Sequence, residues 1–390
     1  MAQKPIKLKK RKIKSVSDWV QETYYVRKKN DTIKEGEYRM NVKEKLVCNG
    51  FFQNNKRTGI WKFYGYEGRL VYEGEYSQGH RVGKWTYTLD GSKSGEIFYG
   101  NGLVDSAFGF AETGAKIYNY VAQDGSGGKA VRSYTNGQKK EIFSVNRFQI
   151  NGSYESFFEN GELHKKAEYK NGTISTIHLI KNENGDTLEA GTLKNGNGTL
   201  VNYSFDSSNR LYKSGFYHYE NGERHGQAKT FDSEGNIISE GRYSKGYKVG
   251  KWRFTRNGRS TQVFYSKVKE MVHLKNKNIP CVFSGDMPSN RKQPAIFYNK
   301  TNGYANYLQD VFVYPSQAAA EGIGAELRIQ FGIDLDGNLI SYQVLKGGFK
   351  PIEDEAVRVV AMMPWWTPKI VDGLPASQYN IIPISLGISE

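Results

Sequence analysis

Few side chains in this 390-residue chain are spaced for chemistry, and most of those fail on inspection. His80, His164, His178, His218 and His225 are scattered, and no carboxylate or thiol completes a metal ligand set around them. Gly125-Ser126-Gly127-Gly128 has no following Lys-Ser/Thr, so it is a loop rather than a phosphate cradle. Asp334-Leu335-Asp336-Gly337 lacks the third acidic position and the distal Glu of a calcium loop and reads as a hairpin turn. Cys48 and Cys281 show no metal or redox spacing; they read as two small buried hydrophobes, with a long-range disulfide as the alternative. No nucleophile and base stand together. The expectation is a protein that is not an enzyme and carries no cofactor or metal.

Two other stretches carry a different chemistry. Residues 4–14, KPIKLKKRKIK, hold seven basic side chains, among them Lys7, Lys9, Lys10, Arg11 and Lys12. They suit a mobile arm that meets an anionic surface, where each charge adds on the order of 1 kcal/mol at low salt. The alternation of Ile6, Leu8 and Ile13 leaves room for a short strand instead. Nucleic-acid binding is not expected, because aromatic interleaving and a recognisable module are both missing. At the other end, Gln378, Tyr379, Asn380, Ile381 and Ile382 belong to a last strand, Ser377 to Ile388. Its backbone N–H and C=O groups can pair with an incoming chain. Pro383 has no donor, so pairing is expected to break there.

The scaffold that holds these stretches is repetitive. Gly59 to Trp85 returns as Gly226 to Trp252, with Glu73-Gly74 matching Glu240-Gly241 and Val82-Gly83-Lys84-Trp85 matching Val249-Gly250-Lys251-Trp252. A fixed period marks a repeat architecture. Alternating apolar and polar residues (Trp61, Phe63; Leu70, Tyr72) broken at Gly or Asn-Gly describe short hairpins, and stacking buries the face that one hairpin cannot. Asn-Gly at 136–137, 151–152, 160–161, 171–172, 195–196 and 221–222 signals type I′ turns. Residues 18–40 read as a strand pair capping the stack, with Trp19, Tyr24 and Tyr25 covering its end. The pattern G-x-W-x-F-Y-x-x-x-G-x-L-x-x-x-G-x-Y-x-x-G resembles the variant MORN repeat, also found in YwqK-like antitoxin proteins. It is recognisable over about 36–265, poorly at 95–150 and 176–197.

Composition agrees with thin aromatic sheets: 27 Tyr, 20 Phe, 6 Trp and 43 Gly argue against disorder. Net charge is +15, yet residues 304–390 hold five basic and ten acidic groups, a balance of −5, leaving +20 on residues 1–303. That asymmetry suits an acidic surface, whether anionic lipid or peptidoglycan, or simple solubility. No apolar run is long enough to span a membrane. Met1-Ala2-Gln3 suits a mature exported chain whose leader preceded Gln3, with a cytosolic start as the alternative.

Residues 266–303 exchange the Asn-Gly rhythm for Pro280, Pro288 and Pro294, a linker packed in part through Ile279, Val282 and Phe283. From Tyr304 the pattern gives two short helices around Tyr314-Pro315, a strand over 325–333, a hairpin at Asp336-Gly337 and a strand over 339–345. A helix over 351–363 with Ile352, Ala356, Val359, Val360 and Met363 buried precedes the last strand. The region resembles the TonB C-terminal domain through Tyr314-Pro315, Ala319, Gly324, Phe331-Gly332-Ile333-Asp334 and Asp336-Gly337. The likeness continues in Glu355-Ala356, Met363-Pro364, Trp366-Thr367-Pro368, Gly373 and Ile382-Pro383-Ile384. Trp365 stands where the family more often has a polar residue.

The resemblance implies a three-stranded sheet with helices on one side, whose final edge strand takes an extended peptide of an outer-membrane receptor. The membrane helix of energy-transducing members is not visible, which puts that activity in doubt. The expected fold is mainly β: an elongated stack of antiparallel hairpin repeats over 18–265, an arm at 1–17, a linker at 266–303 and a small α+β domain at 304–390. The expected role is a periplasmic cell-envelope interaction protein whose last strand binds an outer-membrane β-barrel or secretion-system protein. A second reading is an anionic lipid or cell-wall scaffold made a homodimer by its C-terminal domain. A third is a cytosolic antitoxin-like binder.

Overall fold

An indole seated on a glycine organises the repeats. Trp61, Trp85 and Trp252 each lie over the glycine eleven positions earlier, so closely that a Cβ on Gly50, Gly74 or Gly241 would meet the ring at 2.3, 2.2 and 2.3 Å. Each indole N–H then donates to the carbonyl of the next residue: Phe51, Glu75 and Arg242, at 3.1, 3.1 and 3.0 Å. The glycine is required because any side chain would displace the ring. This is the physical content of the repeated Glu-Gly and Lys-Trp pairs. A cation completes the motif: Arg57, Arg81 and Lys248 stand 4.6, 4.1 and 4.3 Å from the centroids of Trp61, Trp85 and Trp252.

The structure, a computed structural model, describes residues 8–15, 19–65, 67–100, 102–124, 127–146, 149–208, 210–256, 258–265, 272–273, 292–293, 295–297, 303–363 and 366–386. Its described Asn-Gly turns are of two kinds. Asn171-Gly172, Asn195-Gly196 and Asn221-Gly222 have both residues at positive φ, the expected type I′ turn. At Asn136-Gly137 only the glycine does. There Gly137 N–H donates to Tyr134 O, Tyr134 N–H donates to Gln138 O, and Asn136 Oδ1 accepts from Gln138 N–H. That is a type I turn closed by a glycine bulge, and residues 158–162 repeat it. Asn151-Gly152 lies inside the strand Gln149–Phe157. The type I′ expectation is therefore corrected at 136–137, 151–152 and 160–161. In the two bulged loops the asparagine side chain bonds the backbone two residues on, which holds its own φ negative.

Two compact units divide the chain: residues 1–125 together with 269–390, and residues 126–268. In the first, strands from Leu8–Ser15 to Lys116–Asp124 pair antiparallel in chain order. In the second, strands from Gly127–Ser133 to Thr173–Ile180 do the same, and a separate six-stranded sheet runs from Gly198–Phe205 to Arg259–Tyr265. The hairpin pattern thus persists through 95–150, where the repeat signature fades. It lapses at 181–197, which carries only isolated bridges.

The mobile-arm expectation is corrected for residues 8–15. Leu8–Ser15 is a strand paired over its whole length with Val20–Arg27. Lys9, Lys10 and Lys12 are exposed there, and Arg11 is ion-paired with Asp31; Lys7 lies outside the described residues. A lysine-rich terminal strand is a common protection against edge-to-edge pairing. Among the described residues the stack therefore ends on this strand, not on the pair at 18–40.

Part of the linker lies among the described residues. Val272–His273, Lys292–Gln293 and Ile296–Phe297 each pair with a strand of the C-terminal region, and Ala295 and Phe297 are buried. Ile279, Val282, Phe283, Cys281 and Trp365 lie outside the described residues. Cys48 is buried as a free thiol, and burial pushes it up to about 12.

The C-terminal elements fall close to their expected places. Helices occupy Gly303–Val311, Ser316–Ala320 and Lys350–Ala361. The sheet runs Val272–His273, Leu339–Lys346, Ala325–Ile333, Gln378–Leu386. Ile352, Ala356, Val359, Val360 and Met363 are buried against its inner face, with Leu327, Ile329, Phe331 and Ile333.

Candidate functional site

Among the described residues the final strand is the last in its sheet, and its backbone geometry follows from the hairpin beside it. Asp334 N–H donates to Asn338 O at 2.9 Å and its carbonyl accepts from Gly337 N–H at 3.1 Å. Residue 334 thus turns its backbone groups toward the Leu339–Lys346 strand. Alternation then turns 333, 331, 329 and 327 toward the final strand, onto 378, 380, 382 and 384. The backbones of 379, 381, 383 and 385 face the outer edge. Pro383 is therefore harmless to its own sheet, and the register passes through Arg328↔Pro383 without a shift. The expected break applies only on the outer side.

The five expected site residues divide accordingly. Tyr379 and Ile381 have outward backbones and side chains 53% exposed each. Ile382 is buried in the core at 2%. Gln378 accepts from Ala295 N–H at 2.9 Å and donates through its amide to Asn380, so both amides serve the local fold. Gly332 lies under Tyr379, where a Cβ would come within 3.0 Å of the ring. The outward-facing backbones among the five belong to Tyr379 and Ile381, with Pro383 next in the row.

What the sequence did not reveal is how this module is held in its unit. Trp19 is buried against Phe297 and Tyr307, with ring centroids 6.2 and 5.3 Å apart. Its indole N–H donates to Asp310 Oδ2 at 2.9 Å, and Lys43 Nζ reaches the same oxygen at 3.0 Å. These two donors hold the Asp310 carboxyl below its usual range. Further along the repeats, Arg81 is ion-paired with Asp336 at the tip of the 334–338 hairpin, and Tyr72 Oη donates to Asp336 O at 3.2 Å. A third contact is a turn seated on glycines. Asp372-Gly373, both at positive φ, press against the repeat strands: a Cβ on Gly109 would sit 1.8 Å from Asp372 O, and one on Gly95 2.4 Å from Leu374 Cδ2. The one advance signal was placement, since Gly95 and Gly109 interrupt strands without a turn partner.

Comparison with known proteins agrees with the C-terminal reading. The family described as the Gram-negative bacterial TonB protein C-terminal matches residues 311–385. No curated protein matches the chain. Among solved structures, a porin-like protein from Bacteroides uniformis is similar at 11% identity, with 63% of this chain and 88% of that chain covered. Its TM-score is 0.18. The chain is mainly β, with a TonB-like C-terminal module.

Proposed function

We propose that this protein is a non-catalytic interaction protein of the cell envelope, in which the TonB-like module pairs its final strand with an extended segment of an outer-membrane β-barrel or secretion-system protein. The observation that supports this most directly is the outer edge at Tyr379 and Ile381, where outward backbone groups sit beside exposed apolar side chains. Main-chain bonds along such an edge supply affinity, and adjacent side chains supply selectivity.

The test uses the direction of the Ile381 N–H. Ile381→Pro removes an outward donor and leaves the ladder to Ala325–Ile333 intact. Envelope extracts are crosslinked through a photoreactive residue at Tyr379, with and without that change. A peptide from an outer-membrane or secretion protein, lost in the proline variant, is the expected result. Crosslinks to a second copy alone favour the homodimer reading, and adducts confined to cytosolic proteins overturn the proposal.

A further inference from the structure

Four ionisable side chains gather in the unit formed by residues 126–268. The strand register sets Glu141 opposite Ser156 and Ser156 opposite Lys165, so the three stand in one row on one face of the sheet. Glu141 is buried, and both of its carboxylate oxygens are taken. Arg132 Nη1 donates to Oε2 at 2.7 Å, and Tyr154 Oη donates to Oε1 at 2.7 Å. Lys165 reaches into the same group, with Nζ 5.6 Å from the centroid of the Tyr154 ring. It is half-buried, and among the described residues no carboxylate forms an ion pair with it. The next lysine differs: Lys166 is exposed on the other face and pairs with Glu155 at 3.1 Å.

An ammonium placed this way has given up part of its hydration without gaining a counter-ion. Its nearest carboxylate is committed to two other donors. Burial therefore lowers the Lys165 ammonium to about 8, and the charge on Glu141 opposes this only in part. At a pH of about 7.5 such an amine is neutral about a quarter of the time, against about 0.1% for one at 10.5. The neutral form carries the lone pair that attacks an electrophile.

We propose that Lys165 is a modification site that takes an acyl group from an activated acyl donor of the acyl-phosphate class. Neutral Nζ adds to the carbonyl carbon and an amide C–N bond forms. The C–O bond to phosphate breaks, phosphate leaves with the electron pair, and the amine proton passes to water. The product has no charge at this position. Acylation therefore removes a half-desolvated, unpaired cation, whereas at Lys166 it would break an ion pair. This reading is independent of strand addition at the final strand.

The test treats the full-length folded protein with limiting acetyl phosphate and follows each lysine by mass spectrometry, with fragment spectra resolving 165 from 166. The expected result is an initial rate at Lys165 about tenfold or more above those at Lys166 and Lys170, rising with pH to a half-point near 8. Lys165→Met should also raise the denaturant midpoint, since an apolar chain of similar length replaces an unpaired ammonium. A rate at Lys165 equal to or below that of Lys166 overturns the proposal. So does a lower midpoint in Lys165→Met, which would show that the ammonium is engaged.

Discussion

Gly59–Trp85 and Gly226–Trp252 share a glycine-seated indole, a cation above it and the same strand order, but they serve different cores. In the first, Trp85 and its neighbours lie beneath a hairpin of the TonB-like module. In the second, the equivalent rings make a small core of their own. Local sequence fixes the hairpin and the ring stack. What the face then meets is fixed by residues elsewhere, chiefly Asp336, Gly95, Gly109 and Asp372-Gly373.

The largest expected effects test what the copies share. Trp85→Ala and Trp252→Ala should each cost about 4 kcal/mol, because each empties a buried ring site and orphans a carbonyl acceptor. Denaturant midpoints for the two units measure this; a much smaller loss for Trp252 would show that the second copy is held by other means. The next effect separates the copies. Arg81→Ala should cost about 3 kcal/mol by removing a buried guanidinium that bonds Tyr87, Tyr99 and Asp336, whereas Lys248→Ala should cost under about 1 kcal/mol. Equal losses in thermal unfolding would erase the distinction.

A glycine change probes the docked turn. Gly109→Ala should destabilise by about 2 kcal/mol, since its Cβ collides with backbone at Asp372, and hydrogen exchange should quicken at 369–376. The smallest effect is acid dependence. Asp310 is held below its usual 3.8 by Lys43 and Trp19. Its contribution is present above the unfolded value and fades as pH falls through the lower folded one. Stability against pH below about 4 should therefore flatten slightly in Asp310→Asn; an unchanged slope would show the contact to be weak.

Much of this was written locally in the chain. Pro315, Asp336-Gly337 and the stripe Ile352, Ala356, Val359 and Val360 placed the C-terminal elements, because turns and helix faces depend on near neighbours. Trp85 and Trp252 announced the repeat for the same reason. The contacts Trp19–Asp310, Arg81–Asp336 and Gly109–Asp372 span more than 250 positions, and no local pattern pairs them. Gln378 and Asn380 looked like edge residues; only the register with Ala325–Ile333 showed that they face inward. The basic run at 4–14 was ambiguous because lysine content alone does not distinguish a solvated tail from a guarded terminal strand.

The first unit is assembled from the two ends of the chain, with residues 126–268 as an insertion between them. Contacts such as Trp19 with Asp310 cannot form during synthesis until the last quarter of the polypeptide has emerged. Native contacts so distant in sequence make for slow maturation. The entropic toll of bridging the insertion grows only logarithmically with its length. Evolution can therefore lengthen or trim the middle with little thermodynamic consequence, while a stop codon before residue 297 would remove Phe297, Tyr307 and Asp310 from Trp19 and Asp336 from Arg81.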